Sequence, residues 1–450
     1  MKSQKFFSWV KVILFSAVLV AVCVWGFILP LRPTESEEEK RTLTEFPDFT
    51  LASFLSGEYT EQISLWYSDT FPAREKLLRI NDLVRSLYGI GGESISSGNQ
   101  VGEVIDTGET FVWETDPPEE PGSEQGSTDT ETETVKLPEG DVGEIMDQYY
   151  VVGDRGYELY SFSRDMSLRY ARLVTTTAQR LDGKAQVYVM VVPLSYCFGL
   201  TEDVQEKIGV SDGEDAIDFM YRAIESYGQQ AGITSPPITV NICDTMRAHY
   251  DEYIYFRTDH HWTAKGAYYA SRVLLDTVGR PYPALEEYDM YEIHEFRGSL
   301  YTHTRSEAMY RNPDTIVAYA SRVVDHVTIT TVEGEVLECP LVDPDAETLF
   351  GSSQRYRCFV NGDYPYYVTH NEELHDGSSI LIIKESYGNA FIPMLADSYE
   401  YVYAVDYRFW RGNIQTFVEE QGVDTVLFLN NLVATGSEYT VGWMERLANR

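Results

Sequence analysis

The sequence predicts an α/β protein in which a parallel β-sheet lies between two layers of helices. Short apolar runs recur after residue 141, and helical patterns alternate with them. The clearest run, Ser379–Ser386, contains four consecutive apolar residues without polar alternation, which is typical of a strand covered on both faces. Buried strands that alternate with helices are typical of a three-layer α/β/α architecture.

Hydrophobic periodicity gives the position of each element. Helices are predicted where apolar residues recur every three to four positions, and strands where apolar, aromatic or β-branched residues are consecutive or alternate. The predicted helices are 54–85 (with a boundary at Pro72), 167–181, 215–228, 263–278, 387–395 and 413–421. The predicted strands are 186–193, 238–243, 253–256, 323–331, 356–360, 379–386, 401–405 and 425–430.

The first 30 residues predict a membrane anchor. Residues 12–29 form an apolar run of eighteen residues without a charge, which is just long enough to span a bilayer. Lysines precede the run, so the N-terminus is expected inside and the remainder of the chain outside. The alternative is a cleaved signal peptide, but Val22–Trp25 offers no good small-residue cleavage site. We therefore expect a single-pass protein of the cell membrane with its globular domain outside the cytoplasm.

Three further regions follow residues 1–30, which hold the cytoplasmic tail and the anchor. Residues 31–92 are expected to form a helical segment that packs on the main domain. Residues 93–140 are expected to be an acidic, disordered excursion, because Glu103–Glu133 contains eleven acidic residues and no lysine or arginine. Residues 141–450 carry the apolar periodicity of a globular domain, and we expect the chemistry there.

Charge and cysteine content exclude several classes of function. The chain has 71 acidic and 35 basic residues and a formal net charge of −36, which argues against nucleic acid or an anionic membrane surface as partner. The five cysteines form no CxxC pair and show no zinc spacing. We expect no cofactor and no metal, and whether the cysteines outside the apolar run form disulfides stays open.

Two clusters of polar side chains stand at the ends of predicted strands. Asp259–His261 follows the predicted strand 253–256, and Lys384–Asn389 follows the apolar run of the strand 379–386. The carboxyl ends of parallel strands lie on one edge of the sheet, where α/β proteins bind their ligands. The alternative for the first cluster is a capped helix preceded by a structural histidine pair.

The residue types in these clusters suit nucleophilic catalysis. A serine at a strand-to-helix turn, such as Ser386, presents its hydroxyl near main-chain N–H groups that can hold an oxyanion. The hydroxyl needs a base, for which His261 is suited, and the histidine needs a carboxylate such as Asp259 to orient it. On an extended segment, Asp259 and His261 would point to one side and His260 to the other. A metal site at 259–261 would require neighbouring side chains to converge, which extended geometry opposes.

The segment Phe256–Tyr269, with the sequence FRTDHHWTAKGAYY, resembles the signature of the DHHW family. That family is similar to the SGNH-hydrolase-like polysaccharide O-acetyltransferases of the alginate-acetylating type. Further segments resemble blocks of the same family: Glu39–Pro47, Asp69–Arg74, Val191–Tyr196, Phe296–Tyr301 and Ile383–Phe391.

The resemblance implies an SGNH-like fold with a permuted motif order, in which the Asp-x-His pair precedes the serine. It implies that Ser386 is the nucleophile and that Asp259 and His261 are its partners. One departure is Asn361–Tyr364, which reads Asn-Gly-Asp-Tyr where the family usually has Gly-Gly-Asn-His. Asp363 stands where the family has an asparagine, so the side chain accepts hydrogen bonds where an amide would donate one. We therefore take Asn389, three residues after Ser386, as the substitute candidate for the donor to the oxyanion. The resemblance also suggests a membrane-bound O-acyltransferase as acyl donor.

Four other side chains have two interpretations each. Tyr387 is a further oxyanion or substrate candidate beside Ser386. Trp262 could stack on a sugar ring or pack under the histidine loop. Arg408 could bind a carboxylated sugar or form a salt bridge within its own corner. His260 could be a second base or make a structural hydrogen bond.

Taken together, these patterns predict an extracytoplasmic O-acyltransferase. It would transfer an acyl group, most simply acetyl, to a hydroxyl of a cell-surface polysaccharide. A carbohydrate esterase with the same triad is one alternative, since only the group that relieves the acyl-serine differs. A non-catalytic protein of the cell envelope that binds glycans or an assembly partner is another.

Overall fold

The computed structural model describes residues 143–146 and 148–449, together with short pieces before them: Arg32, Glu35–Ser36, Arg41–Thr42, Phe46, Ile63, Trp66–Tyr67 and Thr70–Phe71. The predicted anchor at 12–29, the acidic stretch 93–140 and most of the segment 31–92 lie outside the described residues. Among the described residues, none of the helices has the length and apolar character needed to cross a membrane. The chain divides into two compact units, Met1–Trp113 and Glu114–Arg450.

The described elements cover most of the second unit. The strands are β1 (Glu35–Ser36), β2 (Arg41–Thr42), β3 (Glu144–Met146), β4 (Tyr149–Val152), β5 (Arg155–Glu158), β6 (Gln186–Val192), β7 (Ile238–Thr239), β8 (Asp289–Phe296), β9 (Asp314–Ala320), β10 (His326–Thr330), β11 (Val336–Pro340), β12 (Tyr366–His370), β13 (Ser379–Lys384), β14 (Tyr401–Asp406) and β15 (Thr425–Asn431). The α-helices are α1 (Arg164–Arg180), α2 (Tyr196–Gly199), α3 (Glu202–Ile208), α4 (Gly213–Gln230), α5 (Cys243–Ala248), α6 (Ala264–Val278), α7 (Ser299–Thr304), α8 (Glu307–Arg311), α9 (Ala346–Leu349), α10 (Tyr387–Leu395), α11 (Ile414–Gln421), α12 (Leu432–Thr435) and α13 (Glu438–Asn449). Short 3-10 helices occur at Tyr250–Glu252, Leu285–Glu287 and Ser352–Cys358.

In the first unit, β1 and β2 pair antiparallel, and the aromatic ring of Trp66 contacts Arg32 and Phe46. The guanidinium of Arg32 lies 3.7 Å from the centre of the Trp66 ring, and Phe46 meets that ring edge-on at 4.7 Å. Both contacts are of the cation–π and edge-to-face kinds that aromatic side chains favour.

The second unit is built on an eight-stranded mixed sheet with the order β11-β10-β12-β14-β13-β15-β6-β7. The five strands from β14 to β7 are parallel, as predicted. The prediction of a wholly parallel sheet is wrong for β12, β10 and β11, which extend the sheet antiparallel to β14. Their burial patterns show the reason: buried and more exposed residues alternate along β10 and β12, whereas every residue of β13 is buried. Strands with one exposed face are typical of antiparallel pairs.

Helices cover the apolar faces of the sheet strands. Helix α1 packs against α4 and α13, and α6 packs against α10. The side chain of Thr263 caps α6 by accepting a hydrogen bond from the N–H of Gly266, so the helix begins directly after the Asp-His-His segment. All helices predicted after residue 141 are present, with ends shifted by a few residues. The cysteines at 197, 243, 339 and 358 are free thiols.

Three predicted strands differ in the structure. Residues 253–256 are not a sheet strand: Tyr253 adopts a positive φ of 59°, and Tyr255 makes a single bridge, to Trp262. The segment at 356–360 starts within the 3-10 helix Ser352–Cys358, and β7 spans only two residues of the predicted 238–243. Apolar runs show that a segment is buried, but in the first of these cases burial is achieved by packing of a loop rather than by strand pairing.

Candidate active site

The Asp-His-His segment is a short loop that closes on itself. The N–H of Phe256 donates to the carbonyl of His261 at 3.3 Å, so residues 257–260 project between these two points. Asp314, fully buried at the start of β9, anchors the loop from a distance of 56 residues in the chain. It accepts hydrogen bonds from the N–H and the hydroxyl of Thr258 at 2.8 and 2.7 Å. Arg257 adds an ion pair to the same carboxylate.

The structure brings Asp259 and His261 of this loop and Ser386 of the turn after β13 into one hydrogen-bonded chain. Asp259 Oδ1 lies 2.5 Å from His261 Nδ1, and His261 Nε2 lies 2.7 Å from Ser386 Oγ. Asp259 and His261 are buried, whereas Ser386 is half-buried. The imidazole is thus held at one nitrogen by a carboxylate, while its other nitrogen meets a hydroxyl that solvent can reach. This is the geometry in which a histidine acts as base for a serine nucleophile.

The carboxylate of Asp259 is oriented by main-chain donors. The N–H of His261 donates to Oδ1 at 3.0 Å, and the N–H of Ser299 donates to Oδ2 at 2.6 Å. Gly298 permits this approach, because a Cβ atom at that position would lie 2.1 Å from Asp259 Oδ2. The sequence contained this block, Phe296–Tyr301, but nothing in it indicated that Gly298 and Ser299 support the carboxylate.

On the other side, Ser386 stands between β13 and α10, and the buried carboxylate of Glu385 fixes the turn. Glu385 accepts hydrogen bonds from Asn430 Nδ2 at 3.2 Å, the N–H of Asn431 at 3.1 Å and Tyr407 Oη at 3.3 Å. Burial raises the pKa of Glu385, and the donors from Asn430 and Asn431 oppose that shift. Glu385 is therefore a buried carboxyl that stabilises the turn and not a solvated surface group.

Aromatic rings enclose the imidazole of His261. The ring of Tyr356 stacks on it with a centroid distance of 4.2 Å and an interplanar angle of 11°. The ring of His260 lies at 4.0 Å from it and does not point to the opposite side, because the loop is not extended. Instead, His260 Nδ1 makes a hydrogen bond with Ser299 Oγ, which supports the structural interpretation of this residue. Sequence analysis missed Tyr356, which no motif indicated.

Trp262 and the side chain of Tyr387 are interior residues and are not placed to contact a substrate. Both are fully buried. Trp262 Nε1 donates to the carbonyl of Tyr387 at 3.0 Å, and the indole stacks on Phe391 at 5.8 Å. The hydroxyl of Tyr387 donates to the carbonyl of His260. Of the two interpretations given for Trp262, its burial and contacts support packing under the histidine loop.

The amide of Asn389 belongs to a buried polar network rather than to an open oxyanion site. Its Nδ2 donates to Asp363 Oδ1 at 2.8 Å, and its Oδ1 accepts from Lys384 Nζ at 2.5 Å. Lys384 is fully buried, and its ammonium also donates to Tyr367 Oη at 3.0 Å. Burial lowers the pKa of Lys384, although Asp406 and Asp363 oppose the shift. Asn389 therefore links two charged groups.

Arg408 completes this network and shows the salt bridge that the sequence left as one of two possibilities. Its Nε and Nη2 donate to the two oxygens of Asp406 at 2.9 and 2.6 Å, and Nη2 also lies 2.9 Å from Asp363 Oδ2. Partial desolvation raises the pKa of Asp363, but Arg408 and Lys384 lower it more, so that carboxyl stays ionised far below its usual range. Burial lowers the pKa of Arg408, and the two carboxylates raise it well above its usual value.

Asp259, His260 and His261 also offer nitrogen and oxygen atoms within 4.8 Å of one another, as a metal site would require. However, both ring nitrogens of His261 are engaged, one by Asp259 and the other by Ser386. Ligation by this ring would break one of those two hydrogen bonds. The donor set therefore fits a serine–histidine–aspartate arrangement better than a metal centre.

Comparison with known proteins supports the fold. The solved structures that match include a DHHW family protein from Eubacterium siraeum, with 26% identity over 68% of this chain and 98% of that chain and a TM-score of 0.60. Two structures of Bacillus cereus PatB1, one of them with a sulfonyl adduct, share the fold: both are 16% identical, and they cover 69% and 67% of this chain and 99% of theirs, with TM-scores of 0.53 and 0.52. No curated protein matches the chain.

The family model described as DHHW protein matches residues 39–134 and 117–405. These ranges include the loop that carries Asp259 and His261 and the turn that carries Ser386. The match extends over most of the chain and over both polar clusters, so it does not depend on the Asp-His-His-Trp segment alone. The chain therefore belongs to the DHHW family.

Proposed function

We propose that this protein is an O-acyltransferase, anchored in the cell membrane by residues 12–29, that transfers an acyl group, most simply acetyl, to a hydroxyl of a polysaccharide outside the cytoplasm. The observation that carries the proposal is the continuous hydrogen-bonded chain from Asp259 through His261 to Ser386. The similarity of the family's motifs to those of polysaccharide O-acetyltransferases supports acyl transfer as the reaction class.

In the first half of the reaction, His261 Nε2 accepts the proton of the Ser386 hydroxyl. The freed oxygen attacks the acyl carbonyl of the donor, and Asp259 stabilises the imidazolium that forms. The main-chain N–H of Tyr387, the first residue of α10, is our candidate donor to the oxyanion, since its side chain is buried. The bond between the acyl carbon and the donor oxygen then breaks, and His261 returns its proton to that oxygen.

In the second half, a sugar hydroxyl gives its proton to His261 and attacks the acyl-serine. The ester bond to Ser386 breaks, the serine oxygen takes the proton back, and an O-acylated sugar leaves. A membrane-bound O-acyltransferase is the upstream donor that we propose, because the acyl group has to reach the outer side of the membrane. Water in place of the sugar would make the same site an esterase.

Covalent labelling of the full-length protein tests the nucleophile. PatB1 carries a sulfonyl adduct in one of its structures, so methanesulfonyl fluoride is a suitable reagent. We expect the wild type to gain one sulfonyl group, located on Ser386 by mass spectrometry of its peptides, and to give a burst with 4-nitrophenyl acetate. Ser386→Ala should show neither.

Ser437→Ala is the matched control, because Ser437 is also a half-buried serine immediately before a helix but lies at α13. It should be labelled on Ser386 like the wild type. A folded wild-type protein that shows neither labelling nor a burst would favour the glycan- or partner-binding alternative. A burst followed by hydrolysis alone, with every glycan acceptor tried, would favour the esterase.

A further inference from the structure

The register of the sheet puts Arg408 at the same sheet edge as the nucleophile. Strands β13 and β14 are parallel neighbours, and Lys384 pairs with Asp406. Ser386 and Arg408 each stand two residues beyond that pair, on adjacent chains that are about 4.8 Å apart where the strands end. The two chains stay connected past the sheet, because the N–H of Tyr407 donates to the carbonyl of Lys384 at 3.4 Å. A ligand bound at Ser386 would therefore meet Arg408.

The partners of Arg408 hold its guanidinium rigidly without using all of its N–H donors. Asp406 binds it through two parallel hydrogen bonds, and Asp363 adds a third contact on Nη2. These contacts use Nε and Nη2, and no described residue accepts a hydrogen bond from Nη1. The side chain is 27% exposed. A donor that is already oriented loses little entropy when it binds a ligand oxygen.

The charge around this donor disfavours an anionic ligand. Asp406 and Asp363 together offset the positive charges of Arg408 and the fully buried Lys384, so no net positive charge is left for an anion, and Asp363 is itself 32% exposed at the same corner. Its carboxyl stays ionised, so a uronate group arriving there would be repelled by Asp363. The formal net charge of −36 for the whole chain adds to this repulsion at long range. Hydroxyl or carbonyl oxygens of an uncharged sugar meet no such penalty.

Two aromatic residues follow directly after Arg408. Phe409 is 37% exposed, and Trp410 is half-buried with its ring edge-on to Phe417 at 5.9 Å. Gly412 makes room for the indole, because a Cβ atom there would lie 2.2 Å from Trp410 Cζ2. Aromatic rings with a polar neighbour suit the mixed apolar and hydroxyl surface of a sugar ring.

We propose that Arg408, Phe409 and Trp410 form the subsite for the acyl acceptor, and that this subsite takes an uncharged glycan rather than a uronate polymer. The naming of this glycan as acceptor rests on the proposed function, but the binding of the glycan does not. Arg408 Nη1 donates to a ring or hydroxyl oxygen, and the two aromatic side chains contact the face of the same or the next sugar.

Binding is tested with full-length Ser386→Ala protein, which cannot turn over the ligand. The probes are neutral hexamers of β-1,4-linked glucose, mannose and N-acetylglucosamine, against mannuronate and galacturonate hexamers, all followed by isothermal titration calorimetry. We expect at least one neutral hexamer to bind about tenfold or more tightly than either uronate at low salt. Equal or tighter binding of a uronate, or no neutral hexamer binding below about 1 mM, would overturn the proposal.

Variants in the same background locate the site. Arg408→Lys should weaken the neutral hexamer about tenfold, because lysine cannot keep the fork on Asp406 and offer a further N–H in a fixed direction. Phe409→Ala should weaken it about three- to tenfold; since Phe409 is exposed, this variant should fold even if Arg408→Lys does not. Arg311→Lys, an exposed arginine paired with Glu307, and Tyr439→Ala, an exposed aromatic on α13, are the matched controls and should bind like the parent. Unchanged affinity in Phe409→Ala would contradict the subsite.

A second measurement in the Ser386-containing enzyme separates this inference from the proposed function. Phe409→Ala should lower acyl transfer to the neutral hexamer in proportion to the lost affinity, whereas the control Tyr439→Ala should keep both the burst with 4-nitrophenyl acetate and the transfer rate of the wild type. Glycan binding without any burst in the wild type would remove the proposed function and leave the subsite as a glycan-binding site. A burst with no neutral glycan bound would remove the subsite and leave the nucleophile.

Discussion

The two halves of the hydrogen-bonded chain are held by different kinds of structure. Ser386 stands at the end of β13, a fully buried central strand, and the paired main chains of neighbouring strands determine its position. Asp259 and His261 stand on a loop outside the sheet. The carboxylate of Asp314, which accepts hydrogen bonds from the loop, and the N–H of Ser299, which donates one to Asp259, hold that loop.

This difference has a physical consequence. A strand in the middle of a sheet keeps its place through many main-chain hydrogen bonds, so no single side chain decides it. A loop outside the sheet depends more on individual groups such as the buried carboxylate of Asp314, because its removal leaves several buried donors without a partner. We therefore expect single substitutions to disturb the histidine side more easily than the serine side.

The largest effect is expected at the imidazole itself. His261→Ala should lower the rate of acylation by 4-nitrophenyl acetate about 10³-fold or more, since the members of such a chain act as a unit. Asp259→Asn should lower the rate less, because the base remains and only its orientation is lost. His260→Ala is the matched control and should stay within about tenfold of the wild type. An equal loss for His260→Ala and His261→Ala would contradict the assignment of His261 as the base, and a larger loss for His260→Ala would reverse it.

The next effect concerns the loop anchor. Asp314→Ala should lower the free energy of unfolding by about 3 kcal/mol, because Thr258 and Arg257 lose a buried charged acceptor. It should also slow acylation, because the loop carries both Asp259 and His261. Urea denaturation and stopped-flow burst kinetics measure the two effects.

Asp289→Ala provides the comparison for the loop anchor. Asp289 pairs with Arg322 on the surface, where both side chains are 54% exposed, so a loss of at most about 1 kcal/mol is expected. Equal losses of stability for the two aspartate variants would mean that Asp314 does not anchor the loop.

On the serine side, Glu385→Gln should change how stability depends on pH. Burial raises the pKa of Glu385 in the folded state. Its contribution to stability is therefore present at pH values below its pKa in the unfolded state, about 4.3, and is lost as the pH rises through its pKa in the folded state. Relative to wild type, Glu385→Gln should thus gain stability as the pH is raised from about 4 to 8, seen in urea denaturation as an increase in its free energy of unfolding minus that of the wild type.

Glu419→Gln gives the opposite sign and serves as the control. A hydrogen bond from Lys184 lowers the pKa of the exposed Glu419, so its contribution is present above the unfolded pKa and lost on acidification. Glu419→Gln should therefore lose stability relative to wild type as the pH rises. A difference that stays flat with pH for Glu385→Gln would show that folding does not raise the pKa of this carboxyl.

The smallest effect is expected at Tyr356, whose ring stacks on His261. Tyr356→Phe keeps the ring and should acylate within about twofold of the wild type. Tyr356→Leu removes the flat surface that holds the imidazole plane and should slow acylation about three- to tenfold, the scale of one aromatic contact. Burst kinetics of both variants measure this, and equal rates for the two would assign no positioning role to the ring.

Sequence analysis was most successful where structure is local. Strand β13, the turn at Ser386 and helix α10 could be predicted because a buried apolar run and a helical period follow one another within seventeen residues of chain, Ser379–Leu395. The start of α6 was likewise predicted to within one residue, at 263 against the observed Ala264. The strand predicted at 253–256 failed because apolar periodicity reports burial and does not report the pairing partner.

The sequence by itself determined which residue types are available: a serine at a strand end, an Asp-x-His pair, and an arginine at the end of the next strand. Only the tertiary structure decided that Asp314 anchors the histidine loop, that Ser299 orients Asp259, that Asn389 is enclosed by Lys384 and Asp363, and that β10, β11 and β12 extend the sheet antiparallel. The physical reason is that these contacts join residues far apart in the chain, so no local period or spacing encodes them. They form only when the packed sheet brings the chain segments together.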